Sequence, residues 1–143
     1  MNARIASRLF PWTVIGAAAA FAASSYSPPT PDGFLESIRS YPFAASPQRR
    51  DKLRSGVPRL TRCMPAEEVR KLIGDPDYGY PTGKGGPGAM NWTYVLEKKA
   101  LKEVDPSARV VVWLDPAGKI QGVTVYGAPD IEATVSRRPQ QCT

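Results

Sequence analysis

Three short segments late in the chain alternate apolar and polar side chains with the period of a β-strand, and they leave few folds open. Trp92, Tyr94 and Leu96 alternate with Thr93, Val95 and Glu97. Val110, Val112 and Leu114 alternate with Val111 and Trp113, and residues 120–126 are rich in Val, Thr and Tyr around Gly122. Asp115-Pro116-Ala117-Gly118 joins the second segment to the third with Asp first, Pro next and Gly last, as a type I turn requires. A longer charged link through Lys102, Glu103, Asp105 and Pro106 joins the first to the second. This spacing predicts an antiparallel three-stranded meander, with Gly122 a candidate bulge.

A helix is predicted just upstream, over residues 65–73. Pro65 suits the first turn, Glu67 and Glu68 sit at the positive end of the helix dipole, and Arg70 and Lys71 sit near its negative end. Ala66, Val69, Leu72 and Ile73 form one buried stripe, and Gly74 with Pro76 stops the helix. That stripe should cover the face with Trp92, Tyr94, Leu96, Val110, Val112 and Leu114. The expected fold is therefore two-layer α+β, with helices packed on one face of a three-stranded antiparallel meander sheet. The other face, with Val95, Val111 and Trp113, is too apolar for water. Either residues 34–53 cover it or it is a partner surface.

Residues 24–31 are rich in Ser, Pro and Thr and read as an extended linker. Asp32 can cap a short helix carrying Phe34, Leu35 and Ile38 that ends at Tyr41, before Pro42. Ser46 followed by Pro47 opens a second helix over residues 47–55, with Gly56 as its stop. Arg49, Arg50, Lys52, Arg54, Arg59 and Arg62 place six positive charges in fourteen residues, offset by Asp51. No stacking aromatics interleave this run, which argues against nucleic acid. It is either a solvated helix face or a weak contact for anionic lipid or lipopolysaccharide.

At the N-terminus, Arg4 and Arg8 precede fifteen uncharged residues, 9–23, which include four consecutive alanines. Fifteen is short of the roughly 20 apolar residues that span a bilayer as a helix, and Ala20-Phe21-Ala22 offers small residues where a signal peptidase reads. The segment predicts export to the periplasm with cleavage near Ala22 or Ser24; the alternative is an uncleaved anchor in the inner membrane. No cysteine lies near its end, so no acyl anchor is expected. Export makes pairing of Cys63 with Cys142 the expectation, 79 positions apart, against one buried and one frayed free thiol.

The chain has no His, so an imidazole base is excluded, and two distant cysteines make neither a CxxC pair nor a zinc cluster. No catalytic or metal-binding residues are assigned, and no cofactor or small-molecule substrate is expected. Residues 74–90 hold six Gly and three Pro in seventeen positions, long for a structureless connection. Gly83-Lys84-Gly85 is no phosphate loop, since Tyr78 stands where the first Gly is required and no Ser or Thr follows Lys84. Tyr78 and Tyr80 are the loop's only large side chains; they either anchor a partner or lie back on the helix.

Four pieces in order, Cys63-Met64-Pro65-Ala66-Glu67-Glu68-Val69, Leu72-Ile73-Gly74-Asp75-Pro76-Asp77, Trp92-Thr93-Tyr94 and Leu114-Asp115-Pro116-Ala117-Gly118-Lys119-Ile120, resemble the SmpA/OmlA (BamE) family. The resemblance runs from Leu60 to Val125. It implies helices on one face of a three-stranded antiparallel sheet, in a small non-catalytic envelope protein that binds proteins and lipids. The wider fold, shared with β-lactamase-inhibitor proteins, implies protein binding too. Cys63 and Pro65 stand where the family has Gly and Thr, and the family's lipid-attachment Cys is missing.

The expected organisation is a signal segment (1–23), a basic linker with short helices (24–59), an α+β domain (60–126) and a C-terminal tail (127–143). The expected role is a non-enzymatic adaptor or assembly factor that binds envelope proteins through the Gly-rich loop and a sheet edge. Tyr78, Tyr80 and Trp113 are the candidate contacts. The alternative is an inhibitor-type module that inserts the loop into an enzyme cleft.

Overall fold

A computed structural model describes residues 26–135 and Cys142. The cleavage region expected near Ala22 and Ser24 lies outside the described residues. Three helices, α1 (Pro31–Ser37), α2 (Pro47–Gly56) and α3 (Ala66–Ile73), accompany five strands: β1 (Phe43–Ala44), β2 (Tyr78–Pro81), β3 (Met90–Lys98), β4 (Ala108–Leu114) and β5 (Ile120–Tyr126). The class is α+β and all pairings are antiparallel.

The meander β3-β4-β5 is the one the alternation predicts, but the sheet has five strands, not three. The nine-residue β3 is longer than either neighbour on its outer side, so β1 and β2 share that edge end to end. At the junction between them Val95 N donates to the Asp77 carboxylate at 2.6 Å, standing in for a ladder bond. Tyr-Gly-Tyr-Pro forms β2 despite its composition because it is an edge strand, where Pro costs no ladder bond on the solvent side. The hairpin turn is as expected: Gly118 N donates to Asp115 O at 2.9 Å, and Asp115 Oδ1 accepts from Ala117 N and Lys119 N. Trp113 opposes Gly122 and Leu114 opposes Ile120, so the extra residue is Gln121, next to the expected bulge.

Local chemistry moves several helix ends. Thr30, not Asp32, caps α1 by accepting from Gly33 N, and the helix ends at Ser37 because Ile38 is already extended. Ser46 caps α2 as expected. Gly56 is no stop: its φ is −90°, and the chain continues into a 3-10 turn, Val57–Arg59. A Cβ on Gly56 would lie 2.6 Å from Ile73 Cγ2 and 2.7 Å from Leu72 O. The missing side chain therefore lets α2 lie directly against α3. Gly74 does end α3, with φ 84°.

The core joins Val69 and Ile73 of α3 to Trp92, Tyr94, Leu96, Val110, Val112 and Leu114, as the stripes predict. Leu53 and Val57 lie in this same core. The second helix therefore packs on the same face as α3 and does not cover the opposite one. Ala128, Ile131 and Val135, from the segment expected to be a tail, also belong to the core. Val123 N donates to Val135 O at 3.1 Å. Cys63 and Cys142 are joined, with their sulfurs 2.02 Å apart.

Candidate functional site

Antiparallel register carries side chains directly opposite each other onto one face of a sheet. Tyr78, Thr93, Val111 and Thr124 form one such row, and Tyr80, Asn91, Trp113 and Gly122 form the next. Tyr78, Tyr80 and Trp113, up to 35 positions apart in sequence, therefore share the face opposite α2 and α3. Tyr78 and Tyr80 stack with ring centroids 6.3 Å apart. Tyr80 is 39% exposed, whereas Trp113 is half-buried and donates from Nε1 to Thr124 Oγ1 at 3.2 Å.

Tyr78 is half-buried, and its ring lies 5.5 Å from Phe34, which also meets Phe43 edge-on at 5.6 Å. Phe34 is thus a plug where β1 and β2 abut. Burial pushes the Tyr78 hydroxyl above its ordinary pKa, against the hydrogen bond it makes with Thr93. On the same face the side chain of Asn91 is buried, and its Oδ1 has no hydrogen-bond partner among the described residues.

Most of the basic run is paired with the chain's own groups at the surface. Arg49 pairs with Asp77 at 3.1 Å, donates to Asp75 O and lies over the Tyr94 ring. Arg50 and Arg54 grip Asp130 at 3.0 and 2.9 Å, and Arg54 also pairs with Asp51. Arg62 donates to Gln121 O. Lys52, Arg54 and Arg59 are exposed. Two guanidiniums hold the Asp130 carboxyl down at about 2. Asp77 moves the other way: burial raises it, and Arg49 and Val95 N offset that only in part.

Sequence reasoning missed a strap made by the start of the linker. Tyr26 meets Trp92 edge-on at 5.6 Å and lies under the Arg70 guanidinium at 3.6 Å, while Pro29 O accepts from Gly79 N. Gly79 has no room for a Cβ, which would sit 2.5 Å from Pro28. An open cleft of about 540 Å³ lies between this strap, the start of α3 and the β4-β5 turn, with Trp92, Met90, Arg70 and Pro116 in its walls. A lone Tyr in a Ser/Pro-rich stretch was the available signal.

Both sheet edges carry pairing from the chain itself. Ile120 of β5 exchanges backbone bonds with Cys63 and Met64, and Val123 bonds Val135. On the other side β1 and β2 cover β3, and Pro29 caps Gly79.

Among the described residues no group of three or more His, Cys, Asp or Glu could hold a metal ion. No helix among them is long and apolar enough to cross a membrane. No family model matches the chain, and no curated protein matches it. A solved structure described as a putative osmotically inducible lipoprotein OsmE is similar at 19% identity, over 57% of this chain and 87% of that one, with a TM-score of 0.38.

Proposed function

We propose that this is an exported, non-enzymatic protein of a bacterial envelope that binds a protein partner on the sheet face bearing Tyr78, Tyr80 and Trp113. The observation that carries the reading is that these aromatics share the face opposite α2 and α3. Aromatic side chains bring large contact area at low entropic cost, so they are the usual anchors of protein interfaces. The charged, then apolar N-terminus supports export, as does the Cys63–Cys142 pair in an oxidising compartment. The ordered motifs shared with the SmpA/OmlA family support an envelope role without catalysis.

A cleft-inserting loop is the weaker alternative, because Tyr78 is packed on Phe34 and only Tyr80 is free to project. The test is photocrosslinking in the native cell from residue 80 and residue 113, alongside residue 59 as a control away from this face. A discrete adduct from the first two that disappears in the Tyr80→Ala/Trp113→Ala variant is expected. Adducts from residue 59 alone would refute the assignment of the face.

A further inference from the structure

The strap at residues 26–30 lies along β2 and belongs to no helix or strand. Thr30 is extended at φ −75° and ψ 158°, and Pro28 and Pro29 fix φ at about −65°, so the segment follows a polyproline-type course. Ser27, Pro29 and Thr30 are exposed, whereas Tyr26 and Pro28 are half-buried against the domain.

Each inward contact of the strap has a counterpart built into the domain. Pro29 O accepts from Gly79 N at 2.9 Å. Pro28 lies on Gly79, where a Cβ would come within 2.5 Å of the proline Cγ. Tyr26 stands edge-on to Trp92 at 5.6 Å, and the Arg70 guanidinium, itself held by Asp75 at 2.8 Å, lies 3.6 Å from the tyrosine ring centroid. A backbone bond at a strand edge, a proline in a recess that lacks a side chain, and an aromatic ring between an indole and a guanidinium are means by which domains hold extended proline-rich peptides.

The strap leaves part of this groove unfilled. The open cleft of about 540 Å³ borders Tyr26, Ser27 and Pro28 but not Pro29, so it lies toward the N-terminal end of the strap, with Met90, Leu114 and Pro116 in its walls. The residues just before Tyr26 are Ala23, Ser24 and Ser25, whose side chains are too small to use that space. We infer that the groove recognises an extended segment of a partner protein, an aromatic-x-Pro-Pro sequence preceded by a large apolar residue, and that the strap occupies it as a competing self-ligand. The partner's apolar residue enters the cleft and gains burial that the strap lacks. A second copy of this chain is the poorer occupant, because its strap would repeat the contacts already made within one molecule and lose the freedom of a separate one. The groove lies between the edge of β2 and α3, so the inference does not depend on a partner at Tyr80 and Trp113.

The test measures fluorescence anisotropy of labelled synthetic peptides with the full chain. The probes are residues 24–30 as they stand, Ser-Ser-Tyr-Ser-Pro-Pro-Thr, the same peptide with Ser25→Leu, and the Leu peptide with Tyr26→Ala. A full-length Tyr26→Ala chain, with its strap loosened and its circular dichroism unchanged, should bind the Leu peptide several-fold more tightly than the unaltered one, and the peptide lacking Tyr not at all. The parent should bind roughly tenfold more weakly than this variant, because its tethered strap competes at high effective concentration. Adding Gly79→Ala to the variant should abolish binding, since the new Cβ takes the proline's place. In the parent, excess Leu peptide should displace the strap and speed proteolysis at residues 26–29, a readout that needs no variant. No binding to the folded Tyr26→Ala chain would overturn the inference, as would unchanged proteolysis of the parent at peptide saturation. Equal affinity for parent and variant, or binding that survives Gly79→Ala, would place the peptide elsewhere and overturn it too. Equal affinity of the Leu and unaltered peptides would overturn the role of the cleft, and a parent dimer that Tyr26→Ala dissolves would make a second copy the occupant.

Discussion

Replacing Gly56 by Ala separates two accounts of the helix pair by the sign of one measurement. If Gly56 only ended α2, its negative φ would accept Ala without strain, and the substitution would stabilise the protein by at most about 1 kcal/mol. The packing gives the opposite sign. A Cβ there meets Leu72 O at 2.7 Å and Leu72 C at 3.2 Å, which are backbone atoms that no rotamer change moves, as well as Ile73 Cγ2 at 2.6 Å. Relief requires α2 and α3 to part against a core in which Leu53 and Ile73 are fully buried. Overpacking of that kind costs about 3 kcal/mol. Net of the helix gain, Gly56→Ala should lose roughly 2 kcal/mol, or a Tm lower by roughly 6 °C. Urea unfolding followed by circular dichroism measures this, with Gly83→Ala as control because nothing lies within 4 Å of a Cβ there. A Gly56→Ala protein as stable as the parent, with the control unchanged, would refute the close helix approach.

Other consequences are equally direct. Reduction, or the Cys63→Ser/Cys142→Ser variant, releases a link across 79 positions and should cost about 4 kcal/mol in the chain-entropy account, read from urea midpoints with and without reductant. The Asp130 carboxyl is held at about 2 against an ordinary 3.8, so its contribution is present above the ordinary value and lost as pH falls through about 2. The stability gap between the parent and Asp130→Asn should therefore close on acidification across that window and shrink in high salt; a gap independent of pH would contradict the clamp. Gly79→Ala should push Pro28 off β2 and free the strap, seen as faster proteolysis around residues 26–29 with little change in global unfolding.

The meander and α3 were legible because their signals are local. Trp92, Tyr94 and Leu96 alternate within one strand, and Ala66 to Ile73 hold their stripe within two turns. What was missed depends on distant partners. Tyr78 to Pro81 has the composition of a loop and becomes a strand only because β3 offers it an edge. Ile131 and Val135 carry no period, and their burial follows from the chain's return across the helix face. Arg50 and Arg54 look like a surface charge run until Asp130, more than 70 positions away, arrives between them. At the candidate site, the strand period identified Trp113 as a side chain on the face away from α3, but only the register between strands shows that Tyr78 and Tyr80 share that face.

The C-terminal closure of the core also sets when the molecule can finish folding. Ile131 and Val135 complete a core begun at Leu53, Asp130 locks the second helix, and Cys142 bonds back to Cys63. Contacts of such long sequence separation form slowly and only once the last residues have emerged. A chain threaded through a translocation pore from its N-terminus would thus stay open until its final segment is across.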